Sequence, residues 1–390
     1  MTARAPRVIV CAGGGGVGKT TTSAAIALAL ARAGRRTLLV TVDPARRLAD
    51  ALGVPLGSVP SIVRIPGEAE IDGLLQALMP DPREALPRIV DLVFEPAQRA
   101  NVLANPVVEL FVDRLAGLHE LVCAALVADA VARERPEVVV IDTAPSRHAV
   151  DFVQHPARIV ELLDGRAVQW LARLASSGRD GAAKGGRLRA LGARAVDGAL
   201  FAAFGAPLVT AVGELFAALA ASRGELASLA RSASVLLLGP NARYVIVSGP
   251  TRAAGDDAAY LARRLRELDL PCVALVLNRA RSAAEEFLPL RSRADLAPAL
   301  REALDGFADE AATRDAAVRE RSHALGALDP SMPLIALPDV DDDEPSEIVR
   351  SLAGVIGPLL LPHLGLDSPV AARTSTHHDE ATSIHPMVIA

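Results

Sequence analysis

Residues 12–22 read AGGGGVGKTTT, directly after the apolar run Val8-Ile9-Val10-Cys11. Gly13-x4-Gly18-Lys19-Thr20 has the spacing of a phosphate-binding loop that follows a strand and opens a helix. Glycines let backbone N–H groups wrap phosphate oxygens without Cβ interference, and the positive end of the following helix points at the same anion. On this reading Gly13, Gly14, Gly15, Gly16, Val17, Gly18, Lys19, Thr20 and Thr21 cradle the phosphates of ATP. Lys19 bridges the β- and γ-phosphates, and the Thr20 hydroxyl ligates Mg2+. Lysine usage sharpens this. Lys19 and Lys184 are the only lysines, so 41 basic residues less two leaves 39 arginines. A slim ammonium can lie along a phosphate cradle where a forked guanidinium cannot.

Outward from the loop, short β-branched runs recur at 7–11, 37–42, 138–142, 244–248, 272–277 and 333–337. They are nearly continuously apolar, as strands buried on both faces of a parallel sheet are. Helical patterns alternate with them at Thr20–Ala33, Val107–Arg133, Ala253–Leu268 and Ala294–Leu325. The alternation predicts an α/β doubly wound, mostly parallel sheet. Residues 54–110, with eight prolines and short apolar clusters, are expected to add helices. From 152 to 238 strand signals vanish, and Pro156–Ala175, Leu188–Phe204 and Leu208–Leu238 look helical around the soft loop 176–187. The expected domains are therefore a nucleotide-binding unit of 1–151 and 236–363, a helical insertion of 152–235, and a disordered tail of 364–390.

Two further carboxylates are placed by pattern. VVVIDTAPSRH (138–148) is a buried strand ending in Asp142, where a carboxylate beside the loop can hold Mg2+ through water. TVDPARRLADALG (41–53) ends its strand at Asp43, which can orient the attacking water; a helix N-cap is the alternative role for it.

Together GGGGVGKTTT, DPARRLADALG and DTAPSRHAVDFVQHP, in that order, resemble the ArsA-type ATPases, the family of the arsenite-pump ATPase and of the ATPase that delivers tail-anchored membrane proteins. The family patterns look like GKGGVGKTT, DPAHSLSDAF and DTAPTGHTLRFL. Lesser traces are AGLHE (116–120), NRA (278–280) and LPDV (337–340). The resemblance implies Gly13–Thr21 for phosphates, Asp43 and Lys19 as catalytic groups, and Asp142 in the second switch. It implies Asn278, and Pro338 in the late loop, for the adenine. It also implies two nucleotide domains sandwiching the nucleotides, hence a homodimer, or a heterodimer with a paralogue, for a chain with a single loop motif. A hydrophobic client or membrane protein is the further partner it suggests.

The chain departs from that pattern at Gly14, where the family carries a lysine that reaches across the dimer. Arg46, Arg47 and Arg147 stand where the family has no arginine, and one of them is a candidate replacement for that cation. Thr251 replaces the proline-glutamate pair that the family commonly shows.

Composition bounds the rest. A net charge of −5 argues against nucleic acid as the main partner. Cys11, Cys123 and Cys272 lie far apart without a CxxC pair, which disfavours a thiolate zinc site or an arsenite-capturing trio. No apolar run approaches the ~20 residues of a membrane span, and EIVRSLAGVIGPLLL (347–361) reads as a helix closing a domain, so a cytoplasmic location is expected. Leu200, Phe201, Phe204, Leu208, Leu215, Phe216 and Leu219 fit either a greasy client groove or ordinary helix packing. Two readings of purpose stay open: an ATPase that drives a helical subdomain, and a nucleotide-gated scaffold with negligible hydrolysis.

Overall fold

The apolar runs do form strands, in a computed structural model that describes residues 5–43, 45–108, 118–144, 206–281, 297–340 and 342–366. The strands are β1 (Arg7–Gly13), β2 (Thr37–Thr41), β3 (Ser61–Ile62), β4 (Leu75–Leu78), β5 (Val138–Asp142), β6 (Ala242–Ser248), β7 (Cys272–Arg281) and β8 (Leu334–Pro338). They build one eight-stranded sheet in the order β3-β4-β2-β5-β1-β6-β7-β8. Every pairing is parallel except the edge pair β3–β4. The fold is α/β, consistent with a P-loop nucleoside triphosphatase.

Alternate residues of each strand face opposite layers, as the two-residue period requires. Ile9 and Cys11 of β1 join Leu39, Val140, Val247 and Val276 in one apolar cluster, and Val8 and Val10 join Val40, Ile141, Ile246 and Leu275 in the other. The first face is covered by α1 (Lys19–Arg32), α2 (Arg47–Leu52) and α10 (Pro345–Leu360). The second is covered by α5 (Leu118–Glu134), α7 (Arg223–Leu238) and α8 (Arg252–Glu267), with Leu325 from α9 (Pro298–Gly326). Helix α1 is alanine-rich and buried almost from end to end. Small side chains let it sit close to the sheet on one side and α10 on the other.

β1 lies between β5 and β6, and the crossovers leave it in opposite directions: β2 lies beyond β5, whereas the chain after β5 returns to β6. Strand order therefore reverses at the carboxyl end of β1, which opens a crevice there.

Three features differ from the pattern-based expectation. Residues 54–110 do contain helices, α3 (Pro82–Val93) and α4 (Pro96–Leu103), but also β3 and β4. LQAL (75–78) has weak strand propensity; parallel pairing with β2 overrides it. Second, α3 and α4 pack with α6 (Ala206–Ala221) around Val93, Phe94, Val102 and Leu215, so these helices and the start of the later helical region share one small core. Asn105 pins that core, donating from Nδ2 to the Ala211 carbonyl at 2.8 Å. In it Leu215 is buried, Leu219 packs at its edge and Leu208 is exposed, which is ordinary helix packing at the first two positions; Leu200, Phe201 and Phe204 lie outside the described residues. Third, Pro345–Leu364 is long and apolar enough, by length and composition, to cross a membrane. Its apolar side, with Val349, Leu352 and Ile356, is buried in the cluster over α1, as expected of a helix that closes the domain. The soft loop 176–187 and residues 367–390 of the tail lie outside the described residues.

Candidate nucleotide-binding site

The glycine loop fills the crevice at the end of β1. Gly18 caps α1 in the left-handed conformation (φ 86°) without a side-chain cap, so the first-turn N–H groups of α1 receive no side-chain oxygen. Those N–H groups, aimed along the helix axis, are the natural partners of an anion. Two constraints make Gly18 a glycine. Its φ is one that L side chains rarely adopt, and a Cβ built on it would overlap Nδ2 of Asn278. A Cβ on Gly13 would likewise overlap the Val247 carbonyl of β6.

Lys19 is buried at 5% exposure, and its Nζ donates to the Gly14 carbonyl at 2.7 Å. Burial lowers its pKa, while Asp142 and Asp43 act to raise it. The ammonium is thus folded back along the loop, within reach of any anion that the loop holds.

Asp142 ends β5, paired in register with Cys11 of β1 and Thr41 of β2. Its Oδ2 accepts from Thr20 Oγ1 at 2.8 Å and Thr41 Oγ1 at 3.0 Å, and Oδ1 accepts from Ser23 Oγ at 3.4 Å. Burial pushes its carboxyl up to about 6, against the opposing pull of those hydroxyls and Lys19. A carboxylate raised by burial beside a hydroxyl is chemistry suited to a hard cation, since a divalent charge restores the ionised form. Sequence reasoning paired Thr20 with Asp142 through the metal; here they also touch directly. Thr41 and Ser23 were missed. Thr41 was discoverable from its place just before the VDP turn, Ser23 only from the helical phase of α1.

Asp43 is 7% exposed, accepts from the Ala45 N–H through Oδ1 at 3.0 Å, and holds Arg47 Nη1 at 3.3 Å through Oδ2. The N-cap position of α2 belongs to Arg46. The helix-capping alternative for Asp43 therefore does not hold: its side chain closes a local turn and pairs with Arg47. Arg46 is exposed, and Arg147 lies outside the described residues.

Asn278 is buried and donates from Nδ2 to the Val17 carbonyl at 3.0 Å, bracing the loop from β7. Pro338 ends β8 opposite Arg281, so both adenine candidates stand on neighbouring strands at the carboxyl edge of the sheet. Thr251 has a local task, capping α8 by accepting from the Ala254 N–H at 3.3 Å. A Cβ on Gly14 would lie 2.5 Å from Oδ2 of Asp257 in α8, so a carboxylate stands over the place of the family's lysine. No sequence pattern pointed to Asp257.

The cysteines do not assemble. Cys11 and Cys123 are buried in the clusters on opposite faces of the sheet, and Cys272 is partly buried at the start of β7. Among the described residues no group of three metal-ligating side chains converges.

Residues 6–177 match the family model described as the anion-transporting ATPase. An ATPase GET3 of Malassezia globosa is 33% identical over 155 residues, which are 40% of this chain and 44% of that protein. The arsenical pump-driving ATPase of Escherichia coli is 29% identical over 145 residues, 35% of this chain and 23% of that one. An ATPase get3 of Aspergillus terreus is 34% identical over 143 residues, 35% of this chain and 39% of that one. The chain spans less than half the length of these relatives. The loop after β1, Asp43 after β2 and Asp142 at the end of β5 all lie inside the matched segment, so the likeness of residues 6–177 to the ArsA-type ATPase family includes the residues of the site.

Proposed function

We propose that this chain binds Mg2+ and ATP at the loop 13–21 and hydrolyses ATP slowly, as a cytoplasmic protein working in pairs, to reposition its helical region. The observation that carries the proposal is the joining of Lys19, Thr20 and Asp142 at the uncapped start of α1. Lys19 would move from the Gly14 carbonyl to the phosphates. Thr20 and Asp142, already in contact, would hold the metal, which when bound supplies charge neutralisation for phosphoryl transfer. Asp43 would hold the attacking water once Arg47 leaves it. Asn278 and Pro338 would flank the adenine. Residues 152–235 would form the moving helical domain, and a second copy or a paralogue would complete the site.

The engagement of Arg47 by Asp43 and the carboxylate over Gly14 favour a second reading, a nucleotide-gated scaffold with negligible turnover. A hydrophobic client or membrane-protein partner is supported by the exposed Leu208 and Val235. Arsenite capture has no support in the placement of the cysteines.

ATP turnover of the wild type and of Lys19→Ala, with mass measured in ADP and in a non-hydrolysable analogue, tests both readings. Turnover abolished in Lys19→Ala and a dimer in the analogue support the switch. Binding without turnover supports the scaffold. Turnover indifferent to Lys19→Ala sinks the site.

A further inference from the structure

At the opposite edge of the sheet a cleft of about 680 Å³ opens between the starts of the central strands, and Arg7, Arg35, Arg36 and Arg135 line it. The acid among the described lining residues is Glu137. Its Oε1 stands 3.7 Å from Arg35 Nη1, and its Oε2 accepts from the backbone N–H of Arg36 at 3.0 Å. Both oxygens of Glu137 are thus already engaged, by Arg35 and by the Arg36 backbone.

The wall is built on fixed backbone. The Arg36 carbonyl accepts from Glu137 N–H at 2.8 Å and from Val138 N–H at 3.2 Å, and Arg7 N–H donates to the Glu137 carbonyl at 3.0 Å. Arg7 Nη2 donates to the Gly365 carbonyl at 2.8 Å, tying the end of the α10 segment to the rim. Arg135 ends α5 in the left-handed region, φ 50°, a position where glycine is the usual residue. Arg36 and Arg135 are exposed, and among the described residues neither forms an ion pair.

We propose that this cleft is a second anion site, which takes a small ligand carrying two or more linked phosphate groups. Like charges gathered on a concave wall repel one another and concentrate counter-anions. Planar guanidinium forks match phosphate oxygens two at a time. The volume is that of a small-molecule pocket. Arg36 and Arg135, two exposed lining cations that form no ion pair among the described residues, call for more than one anionic centre. β1 has seven residues, so at ~3.3 Å per residue the cleft lies roughly 20 Å from the glycine loop. It is a separate site and does not depend on the proposed function.

Pyrophosphate titrated calorimetrically into the full chain carrying Lys19→Ala, which weakens the loop, tests this. One site is expected to remain. Adding Arg36→Ala and Arg135→Gly is expected to weaken it at least tenfold; glycine suits the left-handed backbone at 135, and an unchanged thermal midpoint checks the fold. Arg231→Ala with Arg319→Ala, two exposed arginines outside the cleft, is expected to leave affinity within twofold. Inorganic phosphate is expected to bind at least tenfold more weakly than pyrophosphate. The proposal is overturned by the absence of a site in the Lys19→Ala protein, by indifference to the Arg36 and Arg135 changes, or by equal loss in the control pair. Equal binding of phosphate and pyrophosphate overturns the linked-phosphate requirement.

Discussion

Oδ2 of Asp257 stands 2.5 Å from the position that a Cβ on Gly14 would take. The contact is with the far end of a flexible side chain, so a larger residue at 14 can displace it, but a cation placed there meets a carboxylate first. Gly14→Lys alone is therefore expected to change turnover by less than about twofold, because the new ammonium pairs with Asp257 instead of reaching across to a partner. Gly14→Lys with Asp257→Ala is expected to raise it at least ~10-fold, a small part of the ~10³–10⁵ that a trans cation can supply. Steady-state ATP hydrolysis of the two variants is the measurement. Equal rates in both would dismiss Asp257 as the restraint.

Burial raises the Asp142 carboxyl to about 6, so in the folded, metal-free protein the protonated form is favoured only below that pH. A cation needs the ionised form, and binding it must release the proton. The Mg2+-dependent part of ATP affinity is expected to fall about tenfold per pH unit below about 6 and to be flat from 7 to 8. Titrations with and without Mg2+ at pH 5, 6 and 7.5 read this directly.

The same shift sets a stability change. The folded pKa lies above the usual carboxylate value, so the favourable contribution is complete below about 4 and is lost as pH rises through about 6. At pH 7.5 the buried charge costs on the order of 2–3 kcal/mol, at ~1.4 kcal/mol per pKa unit. Asp142→Asn keeps an acceptor for Thr20 and Thr41 and removes that charge. The metal-free variant is expected to be more stable by roughly 1–2 kcal/mol at pH 7.5, to match wild type at pH 4, and to lose Mg2+ dependence. Urea unfolding at the two pH values checks the sign.

Gly18 and Asn278 constrain each other. Gly18→Ala is expected to cost about 2–3 kcal/mol, from a disfavoured φ together with the overlap on Nδ2 of Asn278. Asn278→Ala alone removes the donor to the Val17 carbonyl and is expected to cost about 1–2 kcal/mol. In the double variant the overlap is gone, so the loss should be smaller than the sum by about 1 kcal/mol. Additive losses in denaturant melts would place the whole cost of Gly18→Ala in its backbone angle.

Arg47 is 58% exposed in its side chain, and its pair with Asp43 is a surface contact worth less than about 1 kcal/mol. Arg47→Ala is expected to leave the thermal midpoint within about 2 °C. Turnover is expected to fall at least ~10-fold if its guanidinium supplies the cation missing at Gly14. A rate equal to wild type removes Arg47 from that role and leaves Arg46 and Arg147 to be tested in the same way.

The sequence by itself determined the strands that carry the site and the loop between β1 and α1. Their signals are local: uninterrupted apolar runs mark strands buried on both faces, and glycine spacing with Lys19 and Thr20 marks the cradle. Asp142 and Asp43 were legible for the same reason, since each ends such a run. β3 and β4 were not, because LQAL becomes a strand only when β2 offers its edge. The direct contacts of Thr41 and Ser23 with Asp142, the brace of Asn278 under Gly18 and the Asp257 carboxylate over Gly14 were decided by tertiary structure alone. Each joins residues more than a hundred positions apart, and strand order, not sequence spacing, sets which side chains meet at the end of β1.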